Sequence, residues 1–296
     1  MRVLITGATG FVGRHLVSRL ASRGIECVTI GRNADTISSH HIKHDLLSSA
    51  SFESVLSKVN PTHLIHLAWY TEHGRYWDSD LNHDWSRSTC QILDAFYRCG
   101  GRHAFISGTC AEYDWEYGYC VEGLTPTNPN THYGIAKDAT RRHCEQIKKK
   151  YGGTLGWGRI FYPFGTGESQ SRLIPSLFRV FKKRQQAFGV NCNVYRDFLY
   201  VSDVADAIVC CVLSNYDGPV NISSGNAIRL EELVREIASI CNADPDAILR
   251  REPHNKMEPR YIVGANQRLR TLGWMPSIGF RAGLEIYHSQ EKNESV

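Results

Sequence analysis

The first thirteen residues place the strongest constraint on what this chain can fold into. The apolar run Val3-Leu4-Ile5 leads into Thr6-Gly7-Ala8-Thr9-Gly10-Phe11-Val12-Gly13, and a helical pattern begins near Val12. Glycines at a strand-to-helix junction permit a tight turn, let backbone approach a ligand and bring helix and strand close together. The helix start then offers unpaired N–H groups and the positive end of its dipole to an anion. In front of a further strand, such a loop is a cradle for a dinucleotide pyrophosphate. The residues expected against it are Gly7, Thr9, Gly10, Phe11, Val12 and Gly13.

The first half of the chain alternates two patterns. Residues 3–5, 27–30, 63–67 and 104–106 are short apolar runs suited to buried parallel strands. Helical patterns at 12–21, 51–59 and 84–98 separate them. The alternation predicts an α/β fold built on a doubly wound parallel Rossmann sheet. A longer helix is expected over 131–150, after Pro126 and Pro129, with Gly152-Gly153 to stop it and a strand at 155–161. Beyond Pro163 the order becomes irregular: helices at 173–181, 203–214 and 229–241, a strand-like turn at 196–201 and a short strand at 220–222. Residues 1–161, with returning segments at about 196–224, read as the dinucleotide-binding domain. Residues 162–195 and 225–296 read as a smaller, interleaved C-terminal substrate lobe, with a frayed tail from Glu291.

A net charge of +4 over 296 residues is too small to call for nucleic acid as a partner. The runs Lys148-Lys149-Lys150 and Lys182-Lys183-Arg184 suit the last turns of helices. The longest apolar run, 207–213, is too short to span a bilayer, so no membrane partner is expected. Ten cysteines without a Cys-x-x-Cys pair read as small buried hydrophobes in a reduced, cytoplasmic protein, and Met1 leads straight into the first strand without a signal peptide. His40, His41 and His44 read as surface residues, and no metal site is expected.

Two features turn the dinucleotide cradle toward redox chemistry. The second strand ends Ile30-Gly31-Arg32-Asn33 with no acid to bind a ribose 2′-hydroxyl, and Arg32 suits a 2′-phosphate. NADP(H) is therefore the preferred cofactor, with NAD(H) the alternative. Tyr133 and Lys137 stand four residues apart on one helix face. A phenol ordinarily titrates near 10; a neighbouring ammonium is expected to lower that value and make Tyr133 a usable acid or base. Lys137 would also hold the nicotinamide ribose hydroxyls.

With these residues in view, the chain resembles the extended short-chain dehydrogenase/reductases of the nucleotide-sugar epimerase, dehydratase and reductase group, over nearly its whole length. The marks are Gly7, Gly10 and Gly13, Asp45-Leu46, His66-Leu67-Ala68, Asn82, Ser107-Gly108-Thr109 and Tyr133 with Lys137. Arg196-Asp197-Phe198, Asp203-Val204-Ala205 and Leu272-Gly273-Trp274 complete them. The resemblance implies that Asp45 and Leu46 flank the adenine and Ala68 lines the nicotinamide ribose, with Leu67, Trp69, Ser107 and Phe161 also on the cofactor. It makes Thr109 the third catalytic residue, its hydroxyl binding the reacting sugar oxygen. On the substrate side it implies Arg196 at the diphosphate and Arg172 and Leu173 at the nucleoside. Tyr70, with His73 and Tyr76, would face the sugar, and Cys110 stands beside Thr109. Arg260, with Lys256 and Glu258, is a candidate for the family's C-terminal charged pair, and Tyr162 stands where the family has an asparagine. A homodimer through the helices at 84–98 and 131–150 is implied as well.

Departures from the family pattern narrow the reaction. The related 4,6-dehydratases carry acidic residues directly after the catalytic threonine, where this chain has Cys110 and Ala111. Glu112, one place further along what reads as a strand end, is expected to face away. Reduction and C4 epimerisation remain. Arg32 favours an NADP(H)-dependent reductase acting on a 4-keto-deoxyhexose linked to a nucleoside diphosphate. The alternatives are a nucleotide-sugar 4-epimerase with tightly held NAD and a non-catalytic dinucleotide sensor; the set Thr109, Tyr133 and Lys137 argues against the sensor.

Overall fold

The structure is a computed structural model, described for residues 1–32, 38, 40–48, 51–253 and 257–293. The first half runs β1 (Val3–Thr6), α1 (Phe11–Ser22), β2 (Cys27–Gly31), β3 (His41–Lys43), α2 (Glu53–Val59), β4 (His63–His66), α3 (Leu81–Arg98) and β5 (His103–Thr109). Then come β6 (Tyr119–Cys120), α4 (His132–Tyr151), β7 (Thr154–Ile160), β8 (Tyr162–Phe164), α5 (Leu173–Phe181), β9 (Tyr195–Arg196) and β10 (Phe198–Tyr200). The last part holds α6 (Val201–Leu213), β11 (Gly218–Ile222), β12 (Ile228–Arg229), α7 (Leu230–Ile240), α8 (Asp246–Leu249), β13 (Tyr261–Gly264), α9 (Gln267–Thr271) and α10 (Phe280–Asn293).

Seven parallel strands form the central sheet in the order β11-β7-β5-β4-β1-β2-β3. Strand alternation explains how its two faces are covered. Val3 and Ile5 of β1 point into a core with Leu16, Val17 and Leu20 of α1 and the apolar face of α6. Leu4, between them, joins the opposite core with α2, α3 and Cys144 and Ile147 of α4. Strand order reverses direction between β1 and β4, which opens a crevice at the carboxyl ends of those strands.

The second half differs from its sequence reading in informative ways. The turn read at 196–201 is two strands: β9 joins β12 and β13 in a small sheet with β6, and β10 pairs with β8. β9 and β10 are two and three residues long, too short to leave a periodic signal. The helix α6 and strand β11 return to the central layers. The tail expected to fray from Glu291 carries α10 on to Asn293. Among the described residues, no helix is long and apolar enough to cross a membrane.

The β1–α1 turn is the tightest point of the fold. Gly7 has φ +72°, and a methyl group added there would stand 2.7 Å from Ala68 N. A methyl on Gly13 would stand 2.0 Å from the Gly7 carbonyl oxygen and 2.8 Å from Ala8 Cα. Both obstacles are backbone, which cannot rotate aside. Gly13→Ala is therefore expected to cost about 2–3 kcal/mol, read as a lower urea midpoint at an unchanged slope. A midpoint equal to wild type would contradict this close approach.

Candidate functional site

One cleft follows the carboxyl ends of β1, β2, β4 and β5. Its floor is the Gly7 to Gly13 loop, including Thr9, Phe11 and Val12. One end is bounded by Arg32, Asp45 and Leu46; the middle by Leu67, Ala68, Trp69 and Ser107; the other end by Thr109, Tyr133, Lys137, Phe161 and Arg172. The structure thus brings every residue expected at the cofactor, and the three expected to do chemistry, onto one continuous surface. The helix α1 starts with no side-chain cap and no acidic residue in its first turn. Its first N–H groups and dipole are left available to an anion. With the glycine cradle, this fits a dinucleotide pyrophosphate.

Helix α4 begins at His132, where the Thr131 hydroxyl accepts from the Gly134 N–H. That start puts Tyr133 and Lys137 on the face toward β5. The Tyr133 ring lies edge-on to Tyr76 (4.9 Å), Trp77 (5.8 Å) and Trp69 (6.4 Å), and the Tyr133 N–H donates to the Trp77 carbonyl. Lys137 is 1% exposed; its Nζ donates to the Ser107 carbonyl at 2.8 Å and sits 3.7 Å from the Trp69 ring centroid. Trp69 is held by its Nε1–H on Asn82 Oδ1, and the Asn82 amide donates to the Tyr76 carbonyl. His66 ties β1 to α3 through Thr6 and Thr89, and burial pushes its pKa down to about 3, so it stays neutral.

The expectation that Lys137 lowers the Tyr133 pKa is corrected by this geometry. Burial in an aromatic enclosure raises the Tyr133 pKa above its ordinary value, and the hydrogen bond from Thr109 only partly opposes it. Burial also lowers the Lys137 pKa to about 7, with Glu112 pulling the other way. At neutral pH the phenol therefore keeps its proton, while the amine is poised near half protonation.

Glu112 is corrected too. β5 ends at Thr109, and residues 110–112 form a single tight helical turn in place of a strand end. The Glu112 carboxylate accepts from the Thr109 N–H, from Trp157 Nε1 and from Arg159 Nε, and is fully buried. The Thr109 hydroxyl accepts from the Ala111 N–H. Glu112 faces away from the cleft, as expected, because it caps this turn and neutralises Arg159.

Five residues expected at the substrate lie off the cleft wall. The Tyr70 hydroxyl donates to Glu72 Oε2, and the buried Cys110 thiol packs beside Tyr113 and Phe161. Leu173 packs into the α5–α7 core. Arg196 is 6% exposed and donates to the Tyr195 and Pro259 carbonyls and to Glu258 Oε2, each at 2.9 Å. Arg260 is exposed, its guanidinium 5.6 Å from the Tyr261 ring centroid. Lys256 lies outside the described residues. Arg172 remains on the wall with His73 and Tyr76, paired to Glu168 Oε1 at 3.1 Å. Burial raises the Glu168 pKa to about 7.

Sequence reasoning missed His41, His44 and Trp85, which line the cleft. Alternation along β3 would have placed His41 and Lys43 on one face, but a three-residue strand gives little to count. The described residues hold no cluster of histidine, cysteine and acids that would bind a metal.

The buried amine has a pH signature. An unfolded chain holds the Lys137 proton up to about 10.4, and the folded one releases it near 7. Between pH 7 and 9.5 the unfolded state binds more protons, so stability rises with pH, by up to ~1.4 kcal/mol per unit from this group. The difference in unfolding free energy between wild type and Lys137→Met is expected to change across that window; a flat difference would contradict the burial.

A model of the NAD dependent epimerase/dehydratase family matches residues 3–223. The chain is 27% identical to the GDP-6-deoxy-D-mannose reductase of Pseudomonas aeruginosa, with 99% of each covered. It is 25% identical to the dTDP-6-deoxy-L-talose 4-dehydrogenase (NAD(+)) of Aggregatibacter actinomycetemcomitans, over 89% of this chain and 94% of that one. The UDP-glucose 4-epimerase of Thermus thermophilus, solved as a complex with NAD, is similar in fold at TM-score 0.85 and 22% identity, over 99% of both chains. With a family match across three quarters of its length, the chain belongs to the NAD dependent epimerase/dehydratase family.

Proposed function

We propose that this protein is an NADP(H)-dependent reductase of a 4-keto-deoxyhexose carried on a nucleoside diphosphate. The observation that carries the reading is the pairing of the cleft's two ends. Thr109, Tyr133 and Lys137 stand at one; at the other, Arg32 follows Gly31 at the tip of β2 where an NAD-type site would place an acid. Asp45, on the loop after β3, turns Oδ1 to the Leu47 N–H. The GDP-6-deoxy-D-mannose reductase relative, aligned over 99% of this chain, supports a reductase that works on a deoxyhexose carried on a nucleoside diphosphate. Dehydration finds no support: Cys110 and Ala111 follow Thr109, and Glu112 is committed to Arg159 and Trp157.

NADPH, when bound, supplies the hydride. The neutral Tyr133 phenol gives its proton to the oxygen at C4 as negative charge develops there, and the Thr109 hydroxyl hydrogen-bonds the same oxygen. Lys137, close to half protonated, restores the Tyr133 proton and holds ribose hydroxyls. Trp69, Tyr76 and Trp77 keep water from the phenol. The same reading assigns residues 1–161, with the return at 196–224, to the cofactor and residues 162–195 and 225–296 to the substrate. It places the enzyme in a reducing cytoplasm, where its ten thiols persist, as a homodimer through α3 and α4.

Incubation with a 4-keto-6-deoxy nucleotide sugar is expected to consume NADPH absorbance stoichiometrically. Tyr133→Phe is expected to lower kcat by about 10²–10⁴-fold. No NADPH oxidation with any nucleotide, together with interconversion of C4 epimers, would replace this reading with the 4-epimerase. Full activity of the phenylalanine variant would overturn the proton-donor role.

A further inference from the structure

Two histidines at the Arg32 end of the cleft carry ring nitrogens that no hydrogen bond accounts for. His41, on β3, lies opposite Thr29 of β2, and its Nδ1 is 3.0 Å from the Thr29 hydroxyl. Its Cε1 faces Gly31, at ordinary contact distance (3.9 Å) from where a Cβ would stand. The ring therefore lies over the strand tip that reads the adenosine ribose. His44, just after the same strand, is held by Phe52, ring centroids 5.4 Å apart. Both rings line the cleft with Arg32, and the Nε2 of each is out of water with no hydrogen-bond partner among the described residues. A lone buried polar group of this kind is costly, and buried polar atoms nearly always have partners. Both belong to residues that line the same end of the cleft as the Arg32 guanidinium, and both ring nitrogens are left unsatisfied.

We propose that His41 and His44 complete, with Arg32, a phosphate-reading site for the 2′-phosphate of the adenosine ribose. This rests on the NADP(H) reading above and adds its specificity-determining residues. The Thr29 hydroxyl lies 3.0 Å from His41 Nδ1 and 3.5 Å from the His40 carbonyl, so Nε2 is the ring nitrogen left over; an anion bound there would draw the ring proton to it. Glycine at position 31 puts no side chain against His41 Cε1. Arg32 supplies positive charge at this end of the cleft, and Asp45 turns Oδ1 to the Leu47 N–H.

Calorimetric titration of the full chain with 2′,5′-ADP and with 5′-ADP tests this, with no substrate or turnover involved. Wild type is expected to bind 2′,5′-ADP at least about tenfold more tightly. His41→Leu and His44→Leu are each expected to cut that ratio about three- to tenfold while 5′-ADP affinity stays within about twofold. His41→Asn, which keeps a donor and the polarity of the site, is expected to retain more of the ratio and guards against a folding defect. If wild type shows no preference, the NADP(H) reading falls and this proposal with it. If the preference falls in Arg32→Ala but survives both leucine variants, the histidine assignment is overturned and the NADP(H) reading stands. Equal loss of both affinities would also overturn it, because the rings would then serve the adenosine.

Discussion

The cleft exists because Gly13 lies directly against the Gly7 carbonyl, and Gly7 against the backbone of Ala68. That contact sets how closely α1 approaches β1 and how closely the turn approaches the end of β4. The first N–H groups of α1, the exit of β4 and the end of β5 all meet at one crevice as a result. Had the helix stood further from the strand, its dipole would point at solvent. The sheet order does the rest, since the reversal between β1 and β4 leaves the crevice uncovered by a crossover helix.

Dryness is the second theme. Lys137 has a carbonyl and an indole face for company, and Tyr133 is walled in by Tyr76, Trp77 and Trp69. In water an ammonium four residues away would favour phenolate; here burial moves both groups toward their neutral forms. The phenol thus stays protonated at neutral pH, and the amine loses its proton far more readily than an exposed lysine. The aromatic segment after β4 thus sets the protonation of the pair by excluding water.

How much of this was legible in the sequence depends on how local each cause is. The Gly7, Gly10 and Gly13 spacing and the i, i+4 pair Tyr133 and Lys137 are short-range, and both landed on the cleft as read. Glu112 was legible too, since Thr109-x-x-Glu112 is the spacing of a capping box; reading the segment as a strand end hid it. The fate of Arg196 was not, because its partner Glu258 lies 62 positions away on a loop with no periodicity. The dry environment of Lys137 was equally hidden, being assembled from the segment after β4, from β5 and from α3. His41 and His44 looked like surface residues because the strand that carries the first and precedes the second is three residues long, and only their neighbours across it put them on the cleft.

The most direct test of the account is to follow the hydride itself. With NADPH deuterated at the transferring position and a 4-keto-6-deoxy nucleotide sugar, mass spectrometry of the released sugar should show one deuterium, bonded to C4, for each NADP⁺ formed. Released sugar without deuterium, or deuterium that stays with a cofactor never leaving the protein, would contradict it.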